Sequence, residues 1–113
     1  VVDIRVGLAI DILPKLQADR AGPFDLIFID ADKQGAADYF DWAMKLSRVG
    51  SLIIVDNVVR NGQVIDADSS DSAVQGIRRL NQMLSRQQRI SATAIQTVGV
   101  KGYDGFVLAM VLA

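Results

Sequence analysis

The sequence predicts a single α/β domain built on a mostly parallel sheet that ends in an antiparallel hairpin. Three observations carry this. First, Phe24 to Ile29 and Ser51 to Val55 are strand-sized apolar runs without polar alternation, the pattern of strands buried on both faces of a parallel sheet. Second, segments with helical spacing of apolar residues stand between and after them. Third, two β-rich runs, Ala92 to Val98 and Phe106 to Leu112, close the chain across a short link from Gly99 to Gly105. The Asp104-Gly105 pair in that link predicts a tight hairpin turn. A length of 113 residues, 50% of them hydrophobic, suits one domain with its own core.

Taken in order, Val1 to Val6 reads as a short strand that stops at Gly7. Ala9 to Leu16 is helical, with Ile10 and Leu13 on one side, and Pro14 predicts a break because it removes a donor and crowds the preceding turn. Ala21-Gly22-Pro23 is a turn before the first apolar run. Ala36 to Leu46 carries Ala36, Phe40, Ala43 and Met44 at helical spacing, and Gly50 is the expected stop before the second run. Arg60 to Ser70 is polar and turn-rich. Ser69-Ser70-Asp71-Ser72 offers N-caps for a helix bearing Val74, Ile77, Leu80 and Leu84. Gly76 inside that helix costs about 1 kcal/mol relative to Ala, so a packing reason is expected.

Composition narrows the chemistry. Lys and Arg total 12 against 13 acids, every acid is Asp, and there is no His and no Cys. Disulfides, thiolate nucleophiles, thiolate zinc sites and imidazole-based catalysis are therefore out. Any metal must be held by oxygen, which points to Mg²⁺, Mn²⁺ or Ca²⁺. A net charge of -1 gives no footprint for nucleic acid. The longest apolar runs fall far below the ~18 residues of a membrane span, so a cytoplasmic protein is expected.

Both apolar runs end in acids: Phe24–Ile29 leads into Asp30-Ala31-Asp32-Lys33, and Ser51–Val55 into Asp56-Asn57. Ligand sites of open α/β sheets lie beyond the carboxyl ends of the strands. If these strands are neighbours, Asp30 and Asp56 emerge side by side and repel unless a cation or shared proton lies between them. With the amide oxygen of Asn57 they make a three-oxygen cradle. The competing reading is that such residues only close turns and cap helices. Lys33, one of four lysines, is either a solvated residue at a helix start or a base, since a nearby cation disfavours its ammonium form. Asp32 reads as a helix cap.

The segment Phe24-Asp25-Leu26-Ile27-Phe28-Ile29-Asp30-Ala31-Asp32-Lys33, followed by Gly50-Ser51-Leu52-Ile53-Ile54-Val55-Asp56-Asn57-Val58, resembles the cation-dependent O-methyltransferases, the catechol and caffeoyl-CoA group. The similarity continues through Asn61-Gly62-Gln63-Val64, Arg79-Leu80-Asn81 and Gly102-Tyr103-Asp104-Gly105-Phe106. The resemblance implies a Rossmann-like sheet of order 3-2-1-4-5-7-6 and S-adenosylmethionine as methyl donor. It implies a divalent cation, most simply Mg²⁺, on Asp30, Asp56 and Asn57, and Lys33 as catalytic base. Gly7, Leu8, Asp30 and Ala31 would border the cofactor, and the acceptor would be a hydroxylated aromatic small molecule bound through two neighbouring oxygens. A homodimer is the usual assembly.

Some positions depart from the pattern. Ala36 stands where many relatives have Tyr, and Ala73 and Val74 replace an aromatic-Arg pair of the plant caffeoyl-CoA enzymes, which argues against a CoA-thioester acceptor. Arg60 stands where many members have an apolar or aromatic side chain. The glycine-rich cofactor loop and the ribose-binding acid have no counterpart in residues 1–113, and the chain opens on Val1. The expectation is thus the C-terminal portion of a methyltransferase domain, with counterparts of strands 3 to 7, which alone binds S-adenosylmethionine poorly. Two alternatives stand beside this reading. Asp30-Ala31-Asp32 also resembles the Asp-x-Asp of haloacid-dehalogenase-like phosphoryl-transfer enzymes, and a non-catalytic α/β domain would use its aspartates only as caps.

Overall fold

The computed structural model describes residues 1–113. Its elements run α1 (Ala9–Ala18), β1 (Phe24–Ile29), α2 (Ala36–Lys45), β2 (Ser47–Asp56), α3 (Ser72–Arg86), β3 (Ile90–Gly99) and β4 (Gly102–Val111), with one-turn 3-10 helices at Lys33–Gly35 and Gln63–Ile65. The four strands form one sheet in the order β1-β2-β4-β3. This is the 4-5-7-6 run of the order that the resemblance implies. β1 pairs with β2 in parallel, while β4 is antiparallel to both β2 and β3.

Val1 to Val6 is not a strand, and Val1, Val2, Ile4 and Val6 are exposed. A strand needs a neighbour to take its backbone hydrogen bonds, and none of β1–β4 pairs with this segment. The sheet in residues 1–113 is consequently mixed, with one parallel pair. Pro14 does not break α1. It forfeits one donor, and the carbonyl left over belongs to the exposed Ile10, where water can serve it. Gly50 does not stop the preceding helix either: α2 ends at Lys45 and β2 already begins at Ser47. Gly50, at φ 90°, instead lies in an irregularity where the β1–β2 register jumps from Phe24↔Ser47 to Leu26↔Leu52. The hairpin is present, but its turn is Val100-Lys101, closed by the Gly99↔Gly102 pair; Asp104 sits in the ladder opposite Thr97.

α2 and α3 cover one face of the sheet. Ala36, Phe40, Ala43 and Met44 of α2 and Val74, Ile77 and Leu80 of α3 are buried, as their spacing predicts, while Leu84 is half-buried. They meet Ile53 and Val55 of β2 and Val107, Ala109 and Val111 of β4. Each fully buried side chain of this size contributes roughly 1.5–3 kcal/mol. Ser51 is the one wholly buried polar residue, and its hydroxyl is satisfied twice, donating to Phe24 O (2.7 Å) and accepting from Arg48 N (2.9 Å). The opposite face is open: Leu26 and Phe28 of β1 are each 59% exposed. Burial of β1 on both faces, expected from its apolar run, is thus met on one face only.

Gly76 has the packing reason its position called for. A Cβ there would overlap the carbonyl oxygen of Lys33 and come within 2.7 Å of Gln34 Cα. α3 therefore presses directly on the backbone of the 3-10 turn that carries Lys33. Gly76→Ala should raise helix propensity by about 1 kcal/mol yet lower net stability by about 1–3 kcal/mol through overpacking, read as an earlier midpoint in urea unfolding; a later midpoint would contradict this packing account.

Candidate active site

The register of β1 against β2 sets the geometry. Ile29 lies opposite Val55, so Asp30 and Asp56 are the next residues on two adjacent parallel strands, whose spacing is about 4.8 Å. Past Asp30 the chain turns at once. Asp32 caps the 3-10 turn by accepting from Gly35 N (3.2 Å), the capping role expected of it, and it also accepts the hydroxyl of Tyr39 (2.5 Å). Lys33 is folded inward by this turn and is only 9% exposed, unlike a solvated helix-start lysine. Its Nζ donates to Asp30 Oδ1 at 3.3 Å, while the Asp30 side chain remains 57% exposed. α3 holds the turn from behind: Arg79 Nη2 donates to Gln34 O (3.1 Å), and Gln34 Nε2 donates to Ser72 Oγ (2.7 Å).

Beyond Asp56 the backbone enters the left-handed region at Asn57, φ 61°. Asn tolerates this conformation better than most residues. Asp56 Oδ1 accepts Asn57 N (2.8 Å). The loop from Asn57 to Gly62 is then fastened to the start of β4. Val58 N donates to Gly105 O (3.0 Å), Asn61 N donates to Tyr103 O (2.9 Å), and Asn61 Oδ1 accepts Tyr103 N (2.9 Å). Asp104 is the centre of this junction. Its Oδ1 accepts from Val59 N (3.1 Å), Arg60 N (2.9 Å) and Gly105 N (2.9 Å), and its Oδ2 accepts from Asn57 Nδ2 (3.3 Å). Burial pushes the Asp104 carboxyl up, but the N–H groups of Arg60, Val59 and Gly105 and the Asn57 amide outweigh it and hold it below its ordinary value. By sequence Asp104 reads as a turn residue. Its partners on the loop lie 44 to 47 positions away, so no local signal marks it.

The residues present fit a hard cation. No three acidic, imidazole or thiolate side chains gather to hold a metal; the candidate donors are the two carboxylates of Asp30 and Asp56 and the amide of Asn57. That set is all oxygen, as Mg²⁺ and its hard relatives prefer. An amide nitrogen given to Asp104 leaves Asn57 Oδ1 as the end available to a cation. Arg60, half-buried and with its Nε unpaired, follows on the same loop.

Asp30 and Ala31 also border a cleft of about 280 Å³ between α1, β1 and α2, lined mostly by apolar side chains that include Phe28, Ile29 and Tyr39. Gly7 and Leu8 do not join it. They sit exposed at the start of α1, and only Ala9 beyond them reaches the cleft. Asp30, Ala31, Lys33, Asp56 and Asn57 are therefore brought to one sheet end. Gly7 and Leu8 are not placed among them.

Comparison with known proteins gives one consistent result. The family model described as O-methyltransferase matches residues 1–111. The catechol O-methyltransferase of Niastella koreensis is 57% identical over 110 residues, covering 97% of this chain and 50% of the relative. That of Mycobacterium tuberculosis is 50% identical, covering 97% and 48%. Among solved structures, the O-methyltransferase from Bacillus cereus in complex with SAH superposes with a TM-score of 0.94 at 57% identity, covering 97% of this chain and 50% of that one. A Streptomyces achromogenes O-methyltransferase in complex with SAM gives 0.91 at 53% identity, covering 96% and 48%. The chain spans about half the length of the curated relatives it matches.

The Tyr39–Asp32 pair yields a test of local geometry. The hydrogen bond to Asp32, with burial and the charges of Asp32 and Asp38, raises the Tyr39 phenol to about 12. A raised folded-state value means the contribution to stability is complete below the unfolded tyrosine value of about 10. It is lost as pH rises from there through about 12. Tyrosinate absorbance should show this late ionisation, and Asp32→Asn should move it earlier; an unchanged late step would remove the pair.

Proposed function

The chain belongs to the O-methyltransferase family, and from that premise we propose that the intact protein transfers a methyl group from S-adenosylmethionine to a hydroxyl of a catechol-like small molecule, with a divalent cation at Asp30, Asp56 and Asn57. The observation that carries this reading is the pairing of Ile29 with Val55. It brings Asp30 and Asp56 out at the ends of two adjacent strands, with a buried lysine against the first and the Asn57 amide, turned toward Asp104, after the second. The names of the relatives from Niastella koreensis and Mycobacterium tuberculosis support a catechol acceptor. The SAM and SAH complexes of the two solved relatives support the methyl donor.

In this scheme Asp30, Asp56 and Asn57 offer three oxygens and leave the cation's remaining positions open. The bound cation would supply Lewis-acid activation of the acceptor hydroxyl, and S-adenosylmethionine would supply an electrophilic methyl on sulfonium. The chain's own residues do the rest. Lys33, once its Nζ has given up its own proton and is a neutral amine, would take the hydroxyl proton as general base. Its stem is shielded from water, and its turn is held by Asp32 on one side and α3 on the other, so the amine keeps a fixed position beside Asp30. Asp30, a member of the proposed metal set, also borders the apolar cleft between α1, β1 and α2.

Two measurements test this. Methyl transfer to catechol by the intact protein should vanish in excess chelator and return with Mg²⁺; full activity in chelator would refute the metal assignment. Lys33→Met should lower kcat by about 10²–10⁴-fold with little change in metal affinity; unchanged kcat would remove Lys33 as the base.

A further inference from the structure

Asp104 makes four hydrogen bonds that together do something none does alone. Three backbone N–H groups, from Val59, Arg60 and Gly105, converge on Oδ1 and fix the carboxylate in place. That leaves Oδ2 facing the side chain of Asn57. An ionised carboxylate only accepts, so the atom of Asn57 turned toward it must be the amide nitrogen. The amide oxygen is thereby forced to the other side. Were the amide reversed, two oxygens would face each other and an N–H group would point where a cation needs an oxygen.

Resting on the metal reading above, we infer that Asp104 is a positioning residue that decides which end of the Asn57 amide is offered to the cation. The choice matters because Asn57 is the neutral member of the set. The two carboxylates present oxygen in any rotamer, whereas the amide presents oxygen in one of two. The hairpin, far from the strand ends in sequence, thus carries a requirement for metal binding, and Asp104 acts through Asn57.

The test is Mn²⁺ binding to the intact protein, followed by titration calorimetry and by the electron spin resonance of the free ion. Asp104→Asn keeps an oxygen for the three backbone N–H groups but turns an amide nitrogen toward Asn57, which must then reverse. Mn²⁺ affinity should fall about 10- to 100-fold, with the circular dichroism spectrum unchanged. Adding Asn57→Asp to that variant puts a carboxylate, with oxygen at both ends, opposite the new amide and should restore affinity to within about 3-fold. Asp56→Ala serves as the reference for the metal set and should abolish tight binding. If Asp56→Ala abolishes binding while Asp104→Asn leaves it intact, the positioning role is overturned and the metal site stands. Failure of the double variant to recover affinity overturns the positioning role in the same way. If wild type and Asp56→Ala bind Mn²⁺ equally weakly, the metal reading itself fails, and this inference with it.

Discussion

The parallel pairing of β1 and β2 is the constraint on which the site depends. With Ile29 opposite Val55, two strands that each end in Asp release those acids at the same height on adjacent rungs. A one-residue slip would move one acid to the other face of the sheet, because side chains alternate along a strand. The register is held from the core side: Ile53 and Val55 are wholly buried, and Ile29 nearly so. Hydrophobic packing on one face thereby fixes the position of charge at the strand ends. Two adjacent carboxylates are unfavourable without compensation, and the ammonium of Lys33 supplies part of it at Asp30.

Two other parts of the molecule serve that edge. α3 comes close enough to touch the backbone of the lysine turn only because residue 76 has no side chain, and Arg79 and Ser72 of the same helix reach the Gln34 carbonyl and side chain. The β3–β4 hairpin serves the second strand end, through Asp104 and the backbone of Tyr103 and Gly105. The helix governs the lysine and the hairpin governs the amide. Both are anchored in the same core cluster, through Ile77 and Leu80 on one side and Val107 and Ala109 on the other.

Much of this was legible in the sequence. Unbroken apolar runs marked β1 and the core of β2, although β1 is covered on one face only. The spacing of Phe40 and Ala43, or of Val74, Ile77 and Leu80, marked α2 and α3, where those side chains are buried. The two acidic strand ends, Lys33 and the cap at Asp32 were visible because they adjoin those runs. What was hidden depends on distant partners. Val1 to Val6 has strand composition, but a strand exists only where another takes its hydrogen bonds. The hairpin turn formed at Gly99–Gly102 instead of Asp104-Gly105, since Asp104 is used by residues more than forty positions away. Gly76 announced a close approach without saying to what.

The chemistry proposed for this sheet end turns on Asp30, Asp56 and Asn57 together holding a divalent cation. Anomalous diffraction from crystals of the intact protein soaked in Mn²⁺ tests it most directly. One strong peak bounded by oxygens of those three side chains is expected, with the Asn57 amide nitrogen still directed at Asp104. A peak elsewhere, or density at the strand ends explained by the Lys33 ammonium with no Mn²⁺ signal, would contradict it.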